Sequence, residues 1–154
     1  MGAFDTLAKK LRPLVQDVAD GSGGMAELEH VLRRRYSNVA WQHTADTNIW
    51  VAVMYCPKAC TVVAAGYEIE TTVASSGTDY YTFELGKNIT ATDTAFDTQG
   101  GVSLAQTSKV NYAFTIVEST DTVAAGGTIY FKVTNTGTGP AIGGISVWVE
   151  VRLD

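Results

Sequence analysis

Two histidines, two cysteines and a few carboxylates are the side chains of this sequence with the means to do chemistry, and their spacing decides which chemistry is open to them. Nucleophilic catalysis needs a base beside its nucleophile. His30 falls in a helical stretch and His43 at a strand end, and no GxSxG elbow accompanies either. A metal site on a small barrel needs clustered histidines on facing strands, which two isolated ones do not supply. His43, beside Trp41 and Gln42, reads as a half-exposed edge residue rather than a ligand. Glu68 and Glu70 share one face of a strand whose other face carries Tyr67 and Ile69. A glycoside hydrolase needs two acids about 5–9 Å apart across a cleft, and an outward acidic stripe explains this pair more simply. Asp93, Asp97 and Asp121 offer oxygen ligands for calcium, but their spacing does not match an EF-hand loop. The expectation is therefore no catalytic residue, no metal, no cofactor and no enzyme.

Cys56 and Cys60 are the only cysteines, too few for a disulfide framework or a four-ligand zinc set. They bracket a turn, CPKAC, between two apolar strands. If three residues close that hairpin, the two sulfurs face each other and approach disulfide distance. A reducing cytoplasm favours two buried or half-buried thiols over the bond. Asn88-Ile89-Thr90 matches the glycosylation sequon, which carries no weight without a secretory signal. Tyr80, Tyr81, Trp50 and Trp148 are candidates for a sugar-stacking platform. Aromatic residues within strand-like runs serve packing or a subunit interface more often.

Two kinds of element must position these residues. Phe4, Leu7, Leu11, Leu14, Val15 and Val18 recur at helical steps with charges between them, which predicts an amphipathic helix over 4–19. Pro13 kinks it or opens a second segment. Gly21-Ser22-Gly23-Gly24 is a hinge, and Met25, Leu28, Val31, Leu32 and Tyr36 form a second apolar stripe. Neither helix is long enough to be stable alone in water, so both stripes need a surface to lie on. From residue 38 the period changes from helical to two. Strand-like runs fall at Val39–His43, Ile49–Met54, Cys60–Ala65, Tyr67–Val73, Tyr80–Leu85, Lys109–Val117, Thr128–Asn135 and Ile145–Leu153. In the last, Val147, Val149 and Val151 face one way and Trp148, Glu150 and Arg152 the other. The stretch 86–107 reads as a long loop with a short strand around Val102–Leu104. About eight strands with Gly-rich punctuation predict an antiparallel sandwich or barrel.

The two halves differ in charge. Residues 1–36 carry six positive and five negative side chains, and 37–154 carry five and eleven, so the arm is at +1 and the β region at −6. An acidic face repels phosphate, which argues against nucleic-acid binding by the main domain. Arg33, Arg34 and Arg35 are the one basic cluster; they complement a helix end or make a polar contact with an acidic partner surface. Charged residues are only 18% of the chain, so much of its polar surface is Thr, Ser, Asn and Gly. Such a surface packs against neighbours without stranding buried charges. No window approaches eighteen apolar residues and no signal pattern opens the chain, so it is expected to be soluble, to begin in a cytoplasm and to avoid membranes.

The β region resembles the single jelly-roll domains of tailed-bacteriophage virion proteins, in particular capsid decoration or cement proteins and short head or tail fibres. The residues carrying this are Asn48–Ala52, the turn and strand Val123–Val133, and the closing strand Gly144–Arg152. The resemblance implies a mainly β fold, an antiparallel jelly-roll-like sandwich over 37–154, behind a helical arm over 1–36. It also implies a homotrimer on the outside of a virion, assembled in the host cytoplasm and bound to the major capsid protein. Phe4, Leu7, Leu11, Leu14, Val18, Met25, Leu28 and Leu32 are then the anchor. The alternative is a receptor- or glycan-binding module of a fibre, using loops 74–79 and 86–101.

Overall fold

In the computed structural model, the described residues are 34–89, 92–117 and 121–153. They are built of strands: β1 (Arg34–His43), β2 (Ile49–Cys56), β3 (Cys60–Ile69), β4 (Tyr80–Ile89), β5 (Thr92–Gly100), β6 (Tyr112–Ala113), β7 (Thr122–Val123), β8 (Gly127–Thr136) and β9 (Gly143–Leu153). Two antiparallel sheets result. The first has the order β1-β9-β3-β6, with β7 also on β3; the second has the order β2-β8-β4-β5. The pairing is nested: β1 with β9, β2 with β8, β3 with β6 and β7, β4 with β5. Apart from β4 to β5 and β6 to β7, consecutive strands lie in different sheets.

Period-two patterning explains why two sheets form. Along β9, Ile145, Val147, Val149 and Val151 are all buried, as the alternation predicted, and the residues between them face outward. In β3, Tyr67 and Ile69 are buried while Glu68, and Glu70 just past the strand's end, are exposed. Tyr67 is the hub of the core. Its ring stacks on Phe83 at 4.6 Å and packs against Phe114 and Phe131, and its hydroxyl donates to the buried Gln106 at 2.9 Å. That hydrogen bond answers the cost of burying a phenol. Burial holds the Tyr67 phenol well above its usual range.

Several strand expectations are corrected. The runs 60–65 and 67–73 are one strand through Ile69, with a register shift between Val62 and Ala64. The stretch 86–100 is not a loop: β4 continues to Ile89 and pairs with β5. Thr92–Ala95 are exposed on an outer strand, so no apolar alternation announced it. Val102 and Leu104 are exposed outside any strand. Only Tyr112–Ala113 of the run 109–117 is a strand; β6 and β7 take successive parts of the same edge of β3. Arg34, Arg35 and Tyr36 open β1, where the helical stripe had placed the end of a second helix. Tyr36 stacks on Trp148 of the neighbouring strand, a cross-strand partner that a helix would not offer.

Candidate functional site

Of the candidate anchor residues, Phe4, Leu7, Leu11, Leu14, Val18, Met25, Leu28 and Leu32 lie outside the described residues, as does Arg33. Arg34 and Arg35 stand at the start of β1. The other predicted candidates are dispersed. His43 is buried, not half-exposed: its ring sits edge-on to Tyr81 at 5.2 Å. One ring nitrogen lies 3.1 Å from the Thr47 carbonyl oxygen, and the other accepts from the Ile142 amide at 3.4 Å. Both nitrogens of a neutral imidazole are thereby used, and burial lowers its pKa against the opposing pull of Thr47. Glu70, just past the end of β3, accepts from the Gly144 amide at the start of β9 at 2.8 Å. Asp97 accepts from the amides of Thr98 and Thr115, a loop-ordering role. Among the described residues no group of three His, Cys, Asp or Glu could hold a metal ion. Among them, too, no helix is long and apolar enough to cross a membrane.

The predicted aromatic platform is divided. Tyr81 is buried and donates to the Pro140 carbonyl at 2.6 Å, so it is unavailable to a ligand. Trp50 belongs to the second sheet and Trp148 to the first, each facing away from the core. Each instead takes part in a separate arrangement on its own outer face. On the first sheet, Trp148 stands directly opposite Gly66, and a Cβ there would meet its Cε2 at 2.9 Å. Its indole donates to Asn111 at 2.8 Å, and Tyr36 stacks on it at 6.2 Å with the planes 9° apart. On the second sheet, Tyr130 stands opposite Gly86 and lies against it. Its hydroxyl donates to Glu84 at 2.7 Å, and Trp50 stacks on it at 5.5 Å.

The sequence reading missed both arrangements. A signal for them existed: Gly66 and Gly86 interrupt strand patterns, and glycine within a strand marks close approach by another group. The first-sheet face adds a cleft of about 450 Å³ beside Gln42, Glu68, Glu70, Ser146 and Lys109. Asn38 and Ser146 are hydrogen-bonded between β1 and β9 on this face. Exposed aromatic surface on a face that also carries amides, carboxylates and a lysine can bind a macromolecular surface or a sugar.

No family model matches this chain, and no curated protein matches it. Among solved structures, a chain of the capsid asymmetric unit of cyanophage Pam1 is similar at 23% identity and a TM-score of 0.49, over 79% of this chain and 84% of that one. A chain from Bacillus endospore appendages, described as disulfide-linked pili, is 16% identical with a TM-score of 0.37, over 79% and 88%. A chain of infectious bursal disease virus, Gx strain, is 9% identical with a TM-score of 0.42, and the match spans 79% of this chain and 32% of that one. Chains of viral particles are thus among the structures to which this sandwich is similar.

Proposed function

We propose that this chain is a structural protein of a virion, built as a jelly roll and acting as a capsid decoration or cement protein. The nested strand order carries the reading. A ribbon whose first strand pairs with its last, second with second-last and so inward, with most successive strands in alternate sheets and β4 turning directly into β5, supports a jelly roll. The fold alone does not assign a role. The surface supports one, being low in charge and carrying outward aromatic residues that suit assembly. In this reading the chain trimerises on the capsid surface and grips the major capsid protein with residues 1–33, through Phe4, Leu7, Leu11, Leu14 and Val18. Because it binds the assembled shell and not its separated subunits, its binding energy adds to shell stability by mass action.

The test is a chain beginning at Arg34, which keeps β1 whole. It should retain the β spectrum and the oligomeric state of the full chain, yet fail to co-sediment with intact capsids. Undiminished capsid binding by the shortened chain removes the anchoring role, and a monomer of the full chain by sedimentation removes the trimer.

A second reading has one observation in its favour. The Tyr36–Trp148 stack, with Tyr36 exposed and Trp148 two residues along β9 from the cleft-lining Ser146, is a surface on which a sugar ring could pack, and the chain would then be a glycan- or receptor-binding module of a fibre. Glycan binding lost in Trp148→Ala, with capsid binding absent in the wild type, selects it.

A further inference from the structure

The sequence pattern CPKAC places Cys56 and Cys60 around a connection that was expected to be a hairpin, but β2 and β3 lie in different sheets. Pro57–Ala59 therefore carry the chain across the end of the sandwich. The two sulfurs still meet, 3.0 Å apart, between the sheets. Both residues are buried and no disulfide joins them. A notch of about 280 Å³, walled by Tyr36, Met54, Tyr55, Pro57 and Leu153, reaches Cys56 from outside. Cys56, 2% exposed, is thus among the residues lining an opening, while Cys60, wholly buried, lies against its sulfur, an order that suits an attacking and a resolving cysteine.

We propose that Cys56 and Cys60 are a site of reversible oxidation, forming an intramolecular disulfide that ties β2 of one sheet to β3 of the other. The sulfurs need to close by only roughly 1 Å, from 3.0 Å to a bond near 2.05 Å. A small organic disulfide is the oxidant. The Cys56 thiolate attacks one of its sulfurs, giving a mixed disulfide and expelling a thiolate. Cys60 gives its proton to a departing thiolate and attacks the Cys56 sulfur, releasing the second half of the oxidant. Two electrons and two protons pass from the protein to the small disulfide, which leaves as two thiols. The hydrogen bond from Cys60 lowers the Cys56 pKa against the opposing effect of burial, which favours Cys56 as the first nucleophile.

The test uses the full chain, equilibrated across a series of reduced and oxidised glutathione. Intact mass should show the loss of two hydrogens, with neither cysteine alkylated after denaturation and no cross-linked dimer. The oxidised chain should melt higher than the reduced chain by roughly 5 °C, the small gain expected when the closed loop is so short. In Cys60→Ala, oxidation should stop at one glutathione on Cys56. Two alkylatable thiols persisting at the oxidising end, a wild type that stops at the mixed disulfide, or intermolecular cross-links would each overturn the proposal. The central comparison is between two redox states of the wild type, so it does not depend on any variant folding.

Discussion

The two outer faces of the sandwich use the same device and finish it differently. On each, an aromatic residue lies over a glycine directly across the strand pair, Tyr130 over Gly86 and Trp148 over Gly66, and a second aromatic stacks on the first. Glycine makes this possible because any side chain there would occupy the space of the ring. On the second sheet the device is closed: Tyr130 is wholly buried and its hydroxyl is bound to Glu84. On the first sheet Trp148 is only partly buried, and Tyr36 above it is 63% exposed. Trp50 above Tyr130 is itself 46% exposed, so both faces carry an outward aromatic ring; they differ in the ring beneath it, sealed on the second sheet and partly open on the first. The lesson is that a glycine–aromatic pair secures a strand register without fixing whether the face is structural or available.

The largest effects should come from filling the glycines. A Cβ at Gly86 would overlap the Tyr130 hydroxyl and come within 2.5 Å of its Cζ and 2.6 Å of the Thr94 carbonyl oxygen. At Gly66 the nearest atoms are the Tyr112 carbonyl oxygen at 2.8 Å and Trp148 at 2.9 Å. Both rings are hydrogen-bonded, Trp148 to Asn111 and Tyr130 to Glu84, but the partly exposed Trp148 has solvent to move into and the contacts at Gly66 are longer, whereas Tyr130 is wholly buried. Gly86→Ala should cost about 3 kcal/mol and Gly66→Ala about 1 kcal/mol in urea unfolding, spanning the usual range for overpacking. Equal costs would break the contrast between a closed and an open face.

Removing one hydroxyl sharpens it further. Tyr130→Phe keeps the ring over Gly86 and deletes the bond to Glu84, for an expected loss of about 1 kcal/mol at neutral pH. Burial, and then the bond to Glu84, raise the Tyr130 phenol above its ordinary value. A raised acid keeps its proton in the folded state, so its stabilisation is complete below the ordinary phenol pKa of about 10 and declines as pH rises past it. The wild type should therefore lose stability above pH ~10 more steeply than Tyr130→Phe. Parallel pH profiles for the two proteins would mean that the phenol is not held as described.

How much of this could be read in the residues follows from what each interaction leaves in the pattern. The alternation of Ile145 to Val151 was plain, because one face is wholly core and the other polar. The strand Thr92–Gly100 was not, because an outer strand of Thr, Asp and Ala has little apolar surface to alternate. That Cys56 and Cys60 face each other was expected only if a hairpin joined their strands; they do meet, but without that hairpin. That they do so across two sheets was not legible, since a short connection within a hairpin and one between sheets look alike in sequence. His43 was misplaced because its burial depends on Tyr81 and on the Ile142 amide, partners far away along the chain. The stacked aromatics were seen as types but not as pairs, for register decides which residue faces Gly66 or Gly86.

The smallest effect on folding carries the most information about function. Tyr36→Ala removes a ring that is already mostly in water, so the melting temperature should fall little, corresponding to about 0.5 kcal/mol. Trp50→Ala uncovers the buried Tyr130 and should cost about 1.5 kcal/mol by the same measurement. If the first-sheet face is where this chain meets a partner, Tyr36→Ala should weaken that association, read as capsid binding, glycan binding or oligomer dissociation, by tenfold or so while the fold stays intact. Loss of stability as great as that of Trp50→Ala would place Tyr36 in the structure of its own subunit. The first face would then be as closed as the second, leaving the stacked pair without a role in recognition.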